Sequence, residues 1–174
     1  MTSNQAIGLA VGITVPIFGG VWILIWALRR KWKYVNFTPH KFVEDVKTKT
    51  FVLTQETHSF EPRLGHYLKT SEIVIALASA SLVFIPRLNI STHPEWFTFS
   101  MTLFGLSVFF LVLFMVVLLY FYEDSLYFPM YYTVKKSALV VALGVTGLSS
   151  FVLAYLSIAI QVAKAVGEKA IVVK

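Results

Sequence analysis

Three of the four histidines in this chain, His40, His58 and His66, lie in one polar stretch, residues 29 to 70. Nine of the fifteen basic residues lie there too. His40 and Glu44 stand four apart, a spacing that turns two side chains to the same side of a helix, and with His58 or His66 they would make a donor set for a divalent metal. The intervals match none of the recurring ligand signatures. Solvated histidines account for the same residues without an ion, and no metal site is assigned. The basic residues allow a second chemistry. Arg29, Arg30, Lys31 and Lys33, followed by Lys41, Lys47 and Lys49, could attract anionic lipid or a protein partner, at about 1 kcal/mol per residue close to an anionic surface. Nucleic acid is not expected, because Glu44, Asp45, Glu56 and Glu61 dilute the positive charge.

Catalysis and cofactor binding find little to use. No HExxH, P-loop or GxSxG pattern occurs, and there is no cysteine to act as nucleophile, metal ligand or disulfide partner. All four histidines, His93 included, lie outside the apolar runs, so haem would lack its usual ligand within a bilayer. An ion-coupled transporter would want an acid near the midplane, and the runs hold none there. The expectation is a protein that is not an enzyme and carries no cofactor.

The elements that position the polar stretch are four apolar runs, roughly residues 5 to 28, 71 to 86, 97 to 122 and 137 to 163. With 57% hydrophobic and 14% charged residues, the 174-residue chain is too apolar for a water-soluble domain. A hydrocarbon core about 30 Å thick takes about 20 helical residues to cross. Three runs meet that length, and the second is expected to borrow a turn from Leu64 to Ser71, with Tyr67 and Lys69 at headgroup level. The first run lacks a basic n-region and is too long for the apolar part of a signal peptide, so it is read as a retained span. The segment from 29 to 70 and the loop from 123 to 136 hold eleven Lys and Arg residues against four on the other side. By the positive-inside rule both loops are cytoplasmic and both termini outside, in a plasma or bacterial inner membrane. Asn89-Ile90-Ser91 forms a glycosylation sequon on the outer side, but it lies close to the membrane.

Small residues mark where helices can approach. Gly8 and Gly12 form a GxxxG pair in the first run, followed by Pro16, which should bend it, and by Gly19 and Gly20. The second run has a patch from Ala76 to Ser81. The fourth places Gly144, Gly147, Ser150, Ala154 and Ser157 three and four apart, on one face. The third run carries bulky residues all round, from Phe109 to Leu119, and is expected to face lipid over much of its circumference. At its end Tyr120, Phe121 and Tyr122, with Tyr127, Phe128, Tyr131 and Tyr132, read as an interfacial aromatic belt. Glu123 and Asp124 stand opposite Lys135 and Lys136 across the following hairpin.

Within residues 29 to 70, Thr38-Pro39 reads as a helix start, with Phe42, Val43 and Val46 on an apolar side. Lys47 to Thr57 reads as a strand or hairpin arm, and Glu61-Pro62 as the start of a helix running into the second span. The fold expected is an all-α integral membrane protein: one polytopic domain, residues 1 to 174, with four transmembrane helices and a small mixed cytoplasmic insert between helices one and two. The function expected is that of a non-catalytic membrane anchor or sensor, which homo-oligomerises through its small-residue faces and recruits a cytoplasmic protein through the basic insert. Two alternatives are a homo-oligomeric pore lined by the first or fourth span, such as a bacterial stress or phage-defence effector, and an accessory subunit of a large membrane complex.

Overall fold

The computed structural model describes residues 2–28, 40–45, 50–55, 61–88, 94–127 and 134–172, with side chains at 2–28, 64–86, 94–123 and 135–166. Four helices dominate: α1 (Ser3–Leu28), α2 (Glu61–Phe84), α3 (Pro94–Tyr127) and α4 (Val134–Val172). A 3-10 turn, Ile85–Leu88, follows α2. Each helix contains a segment long and apolar enough to cross a bilayer: Ser3–Leu28, Leu64–Phe84, Pro94–Glu123 and Lys135–Val166. Large apolar side chains lie exposed along all four, among them Ile23, Val83, Val116 and Ile160, as expected where the surrounding solvent is lipid. The chain is a multi-pass membrane protein.

Local chemistry sets the helix starts. Thr2 and Gln5 form a reciprocal capping box at α1: Thr2 N–H donates to Gln5 Oε1 at 2.8 Å, and Gln5 N–H donates to Thr2 Oγ1 at 3.4 Å. The Thr2-x-x-Gln5 pattern is the sequence signature of this box. Glu61-Pro62 does open α2, which reaches the short second span from outside it, and Pro94 and Glu95 open α3 with the residue types that suit a first turn.

The segment following Thr38-Pro39 is not helical. His40–Asp45 (β1) pairs antiparallel with Thr50–Gln55 (β2), with Val43 opposite Val52 and Phe42 opposite Leu53. A helix this short has too few hydrogen bonds to offset its nucleation, whereas β-branched and aromatic residues facing one another across a ladder favour the hairpin.

The helices are arranged around α3, which packs against α4, α2 and α1; α1 also packs on α4. Among the described residues α1 and α2 do not meet, so they flank the α3/α4 pair separately. Bulky all round, α3 divides its surface between the bundle and lipid. Phe99, Ser100, Leu103, Phe104, Ser107, Leu111, Phe114 and Leu118 are buried, at three- and four-residue spacing along one broad face of α3. Phe109, Val112 and Val116 take the lipid side. The bulk of α3 fills space that the small residues of α4 leave open.

The core has two layers. Ala6 and Ala10 of α1, Ala78 of α2, Phe99, Leu103 and Phe104 of α3, and Ala154 of α4 form one. Leu64, Phe114, Leu118, Val140 and Leu143 form the other, with Phe18 and Phe110 packed alongside, their rings tilted at 30° and 5.9 Å apart between centroids.

Candidate functional site

The two glycine sets singled out in the sequence lie in opposite environments. On α4, Gly144, Gly147, Ser150 and Ala154 are buried. A Cβ at Gly147 would sit 2.7 Å from Leu111 Cγ and 3.2 Å from Leu111 N, and one at Gly144 would sit 3.1 Å from the Phe114 ring. These glycines are occupied inside the chain. On α1 the buried residues are Ala6, Ala10 and Thr14, at four-residue intervals. Gly8 and Gly12 fall two positions away from these, about 200° round the helix, on the opposite face. A Cβ at Gly8, Gly12, Gly19 or Gly20 would meet nothing within 4 Å. That outward face also carries a backbone defect. Pro16 lies inside α1 and has no N–H to donate to Gly12 O, so this carbonyl loses its usual helical partner.

Hydroxyl and amide groups stitch α4 to its neighbours. Ser107 Oγ donates to Gly147 O at 2.8 Å, a bond possible only because Gly147 admits α3 so closely. Toward the α3 start, Gln161 Nε2 lies 3.2 Å from both Trp96 O and Ser100 Oγ and 3.4 Å from Ser157 Oγ. Ser100 Oγ lies 2.9 Å from Ser157 Oγ and 3.0 Å from Trp96 O; its single proton serves one acceptor at a time. On the other flank, Ser81 Oγ donates to Leu77 O, which leaves the Tyr155 hydroxyl to donate to Ser81 across 2.6 Å. The Tyr155 ring meets Phe104 and Phe151 edge-on at 5.0 and 4.8 Å. Ser100, Tyr155 and Gln161 were not singled out in the sequence. The available signal was heptad spacing: Ser100 and Ser107 on α3, Ser150 and Ser157 on α4, with Gln161 one turn further. Thr146 Oγ1 and Ser150 Oγ are buried in the same seam with no hydrogen-bond partner among the described residues.

No protein-family model, curated protein or solved structure matches this chain.

Of the basic residues proposed to face a partner or anionic lipid, Lys41 lies in β1, paired in register with Thr54; Arg29, Arg30, Lys31, Lys33, Lys47 and Lys49 lie outside the described residues. His40 pairs in register with Gln55 in the hairpin, and His66 is exposed on α2; His58 and His93 lie outside the described residues. Among the described residues no three histidine, aspartate or glutamate side chains gather as metal ligands. At the cytoplasmic end of the sequence-based topology, the exposed Tyr120 ring lies beside Phe121, and Lys136 Nζ stands 5.1 Å from the centre of the Phe121 ring. This cation–π contact ties the end of α3 to the start of α4.

Proposed function

We propose that this chain is a non-catalytic membrane anchor that self-associates through the outward face of α1 and holds its basic insert at the cytoplasmic surface for a protein partner. The observation that carries the reading is the unequal use of glycine. Gly144 and Gly147 are consumed by α3, whereas Gly8, Gly12, Gly19 and Gly20 have open space beside them on the least buried span. Lipid tails give bulky apolar faces no strong reason to associate, but glycines let two backbones come close enough for dispersion and Cα–H···O contacts to add up. The Gly12 carbonyl that Pro16 leaves without its helical donor is an acceptor on that same face. Arg29 follows Leu28 directly, so joining α1 helices brings several basic inserts side by side. A partner with repeated acidic sites then gains from effective concentration as well as from each contact.

A pore lined by the fourth span fits less well, because the small-residue face of α4 packs on α3. A pore or an accessory subunit built on α1 would use the same face. The detergent-solubilised mass separates self-association from a heteromeric accessory subunit, with a defined multiple of the 19.6 kDa chain expected, reduced to one chain by Gly12→Leu. Ion flux through liposomes holding only this chain separates a pore from a closed anchor, and tight liposomes are expected. A monomeric wild type, or a Gly12→Leu variant of unchanged mass, rejects self-association through this face. Recovery of the same cytoplasmic proteins by a chain whose Arg29, Arg30, Lys31 and Lys33 are neutralised rejects recruitment through charge.

A further inference from the structure

At the end of the bundle where α3 begins and α4 finishes, α1, α3 and α4 enclose a half-open cleft of about 380 Å³. Its walls are Ile13 of α1, Trp96 and Phe99 of α3, and Leu153, Leu156 and Ile160 of α4, with Gln161 and Lys164 at one end. We propose that this cleft binds one acyl chain of an anionic membrane lipid whose headgroup is held at Lys164.

Three features select this occupant. The walls are almost wholly apolar, and the cleft opens sideways past Leu156 and Ile160, both more than half exposed on the lipid side of α4, so a chain enters from the bilayer without crossing water. From Leu153 to Lys164 the cleft runs eleven residues along α4, about 16 Å at 1.5 Å per residue, close to the half-thickness of a hydrocarbon core about 30 Å deep. One leaflet's acyl chain matches that length. The exposed ammonium of Lys164 stands at the end where the headgroup of such a lipid lies, beside the interface-seeking Trp96, which gives the cleft a cationic mouth over an apolar floor. The Gln161 amide, turned toward Trp96 O, Ser100 and Ser157, closes the polar corner and keeps the wall continuous. This site is at the opposite end of the bundle from Leu28, where α1 ends, and it does not depend on self-association.

Native mass spectrometry of the full chain in a mild detergent, with phosphatidylglycerol or phosphatidylcholine added, tests it. The expected result is one phosphatidylglycerol retained per chain, retained about five-fold less strongly by Lys164→Gln, the change that one surface cation supplies. Leu156→Trp, a change at an exposed lining position that fills the cleft, should abolish retention while leaving the helical circular dichroism and melting temperature unchanged. Equal retention by wild type and Leu156→Trp would overturn the site. Equal retention of the two lipids by the wild type would overturn the role of Lys164.

Discussion

Gly147 of α4 lies against Leu111 of α3 so closely that a single added methyl would stand 2.7 Å from Leu111 Cγ and 3.2 Å from the Leu111 backbone nitrogen. The carbonyl of the same glycine accepts the Ser107 hydroxyl at 2.8 Å. Close approach and an interhelical hydrogen bond thus depend on one missing side chain, and they fix α3 and α4 as the central pair of the bundle.

Gly147→Ala is therefore expected to destabilise the chain by about 1–3 kcal/mol, the usual cost of overpacking where backbone has to shift. Gly144→Ala, which meets only the Phe114 ring at 3.1 Å, should cost less because a ring can tilt. Thermal or denaturant unfolding in detergent reads both, and equal stability of Gly147→Ala and wild type would show that α3 and α4 are not held this closely.

Tyr155→Phe removes the hydroxyl that donates to Ser81 and keeps the ring among Phe104 and Phe151. Hydrogen bonds between membrane helices average about 0.6 kcal/mol, so a loss of about 0.5–1 kcal/mol is expected. Tyr155→Ala, which also empties the space between the two phenylalanines, should cost about 2 kcal/mol or more. If the two variants unfold together, the aromatic contacts contribute nothing measurable.

Thr146 presents the reverse case. Its hydroxyl is fully buried with no partner among the described residues, so Thr146→Val keeps the shape and removes a desolvated polar group. The variant is expected to match the wild type or exceed it by up to about 1 kcal/mol. A clear loss of stability on the same unfolding measurement would mean that the hydroxyl is satisfied and contributes to the seam.

The spans were legible because crossing a bilayer demands length and apolarity, and residues 5 to 28 or 97 to 122 show both directly. Which way each helix faces was not. In water, Phe114 buried and Val116 exposed would differ in cost; beside lipid tails both are comfortable, so hydropathy carries no facing signal for α3. Glycine marks close approach without saying to what. Gly8 and Gly12, like Gly144 and Gly147, mark a small-residue face in the sequence, yet one pair lies open and the other is packed under α3. The insert misled for a different reason: Thr38-Pro39 is a good helix start, but the residues following it, Phe42 and Val43, find partners in Leu53 and Val52 that no local pattern around position 38 announces.

The central claim, that the glycine-bearing face of α1 is where this protein meets copies of itself, is tested most directly by cross-linking single cysteines, for which a chain without native cysteine is well suited. Cysteines at Gly8, Gly12 and Gly19 should form disulfide-linked dimers in native membranes, since bridging needs Cα atoms within about 7 Å. Cysteines at the inward Ala6 and Ala10, and at the lipid-facing Phe109 and Val116 of α3, should not. Dimers absent at Gly8, Gly12 and Gly19, or formed equally well through Phe109 and Val116, would contradict the account.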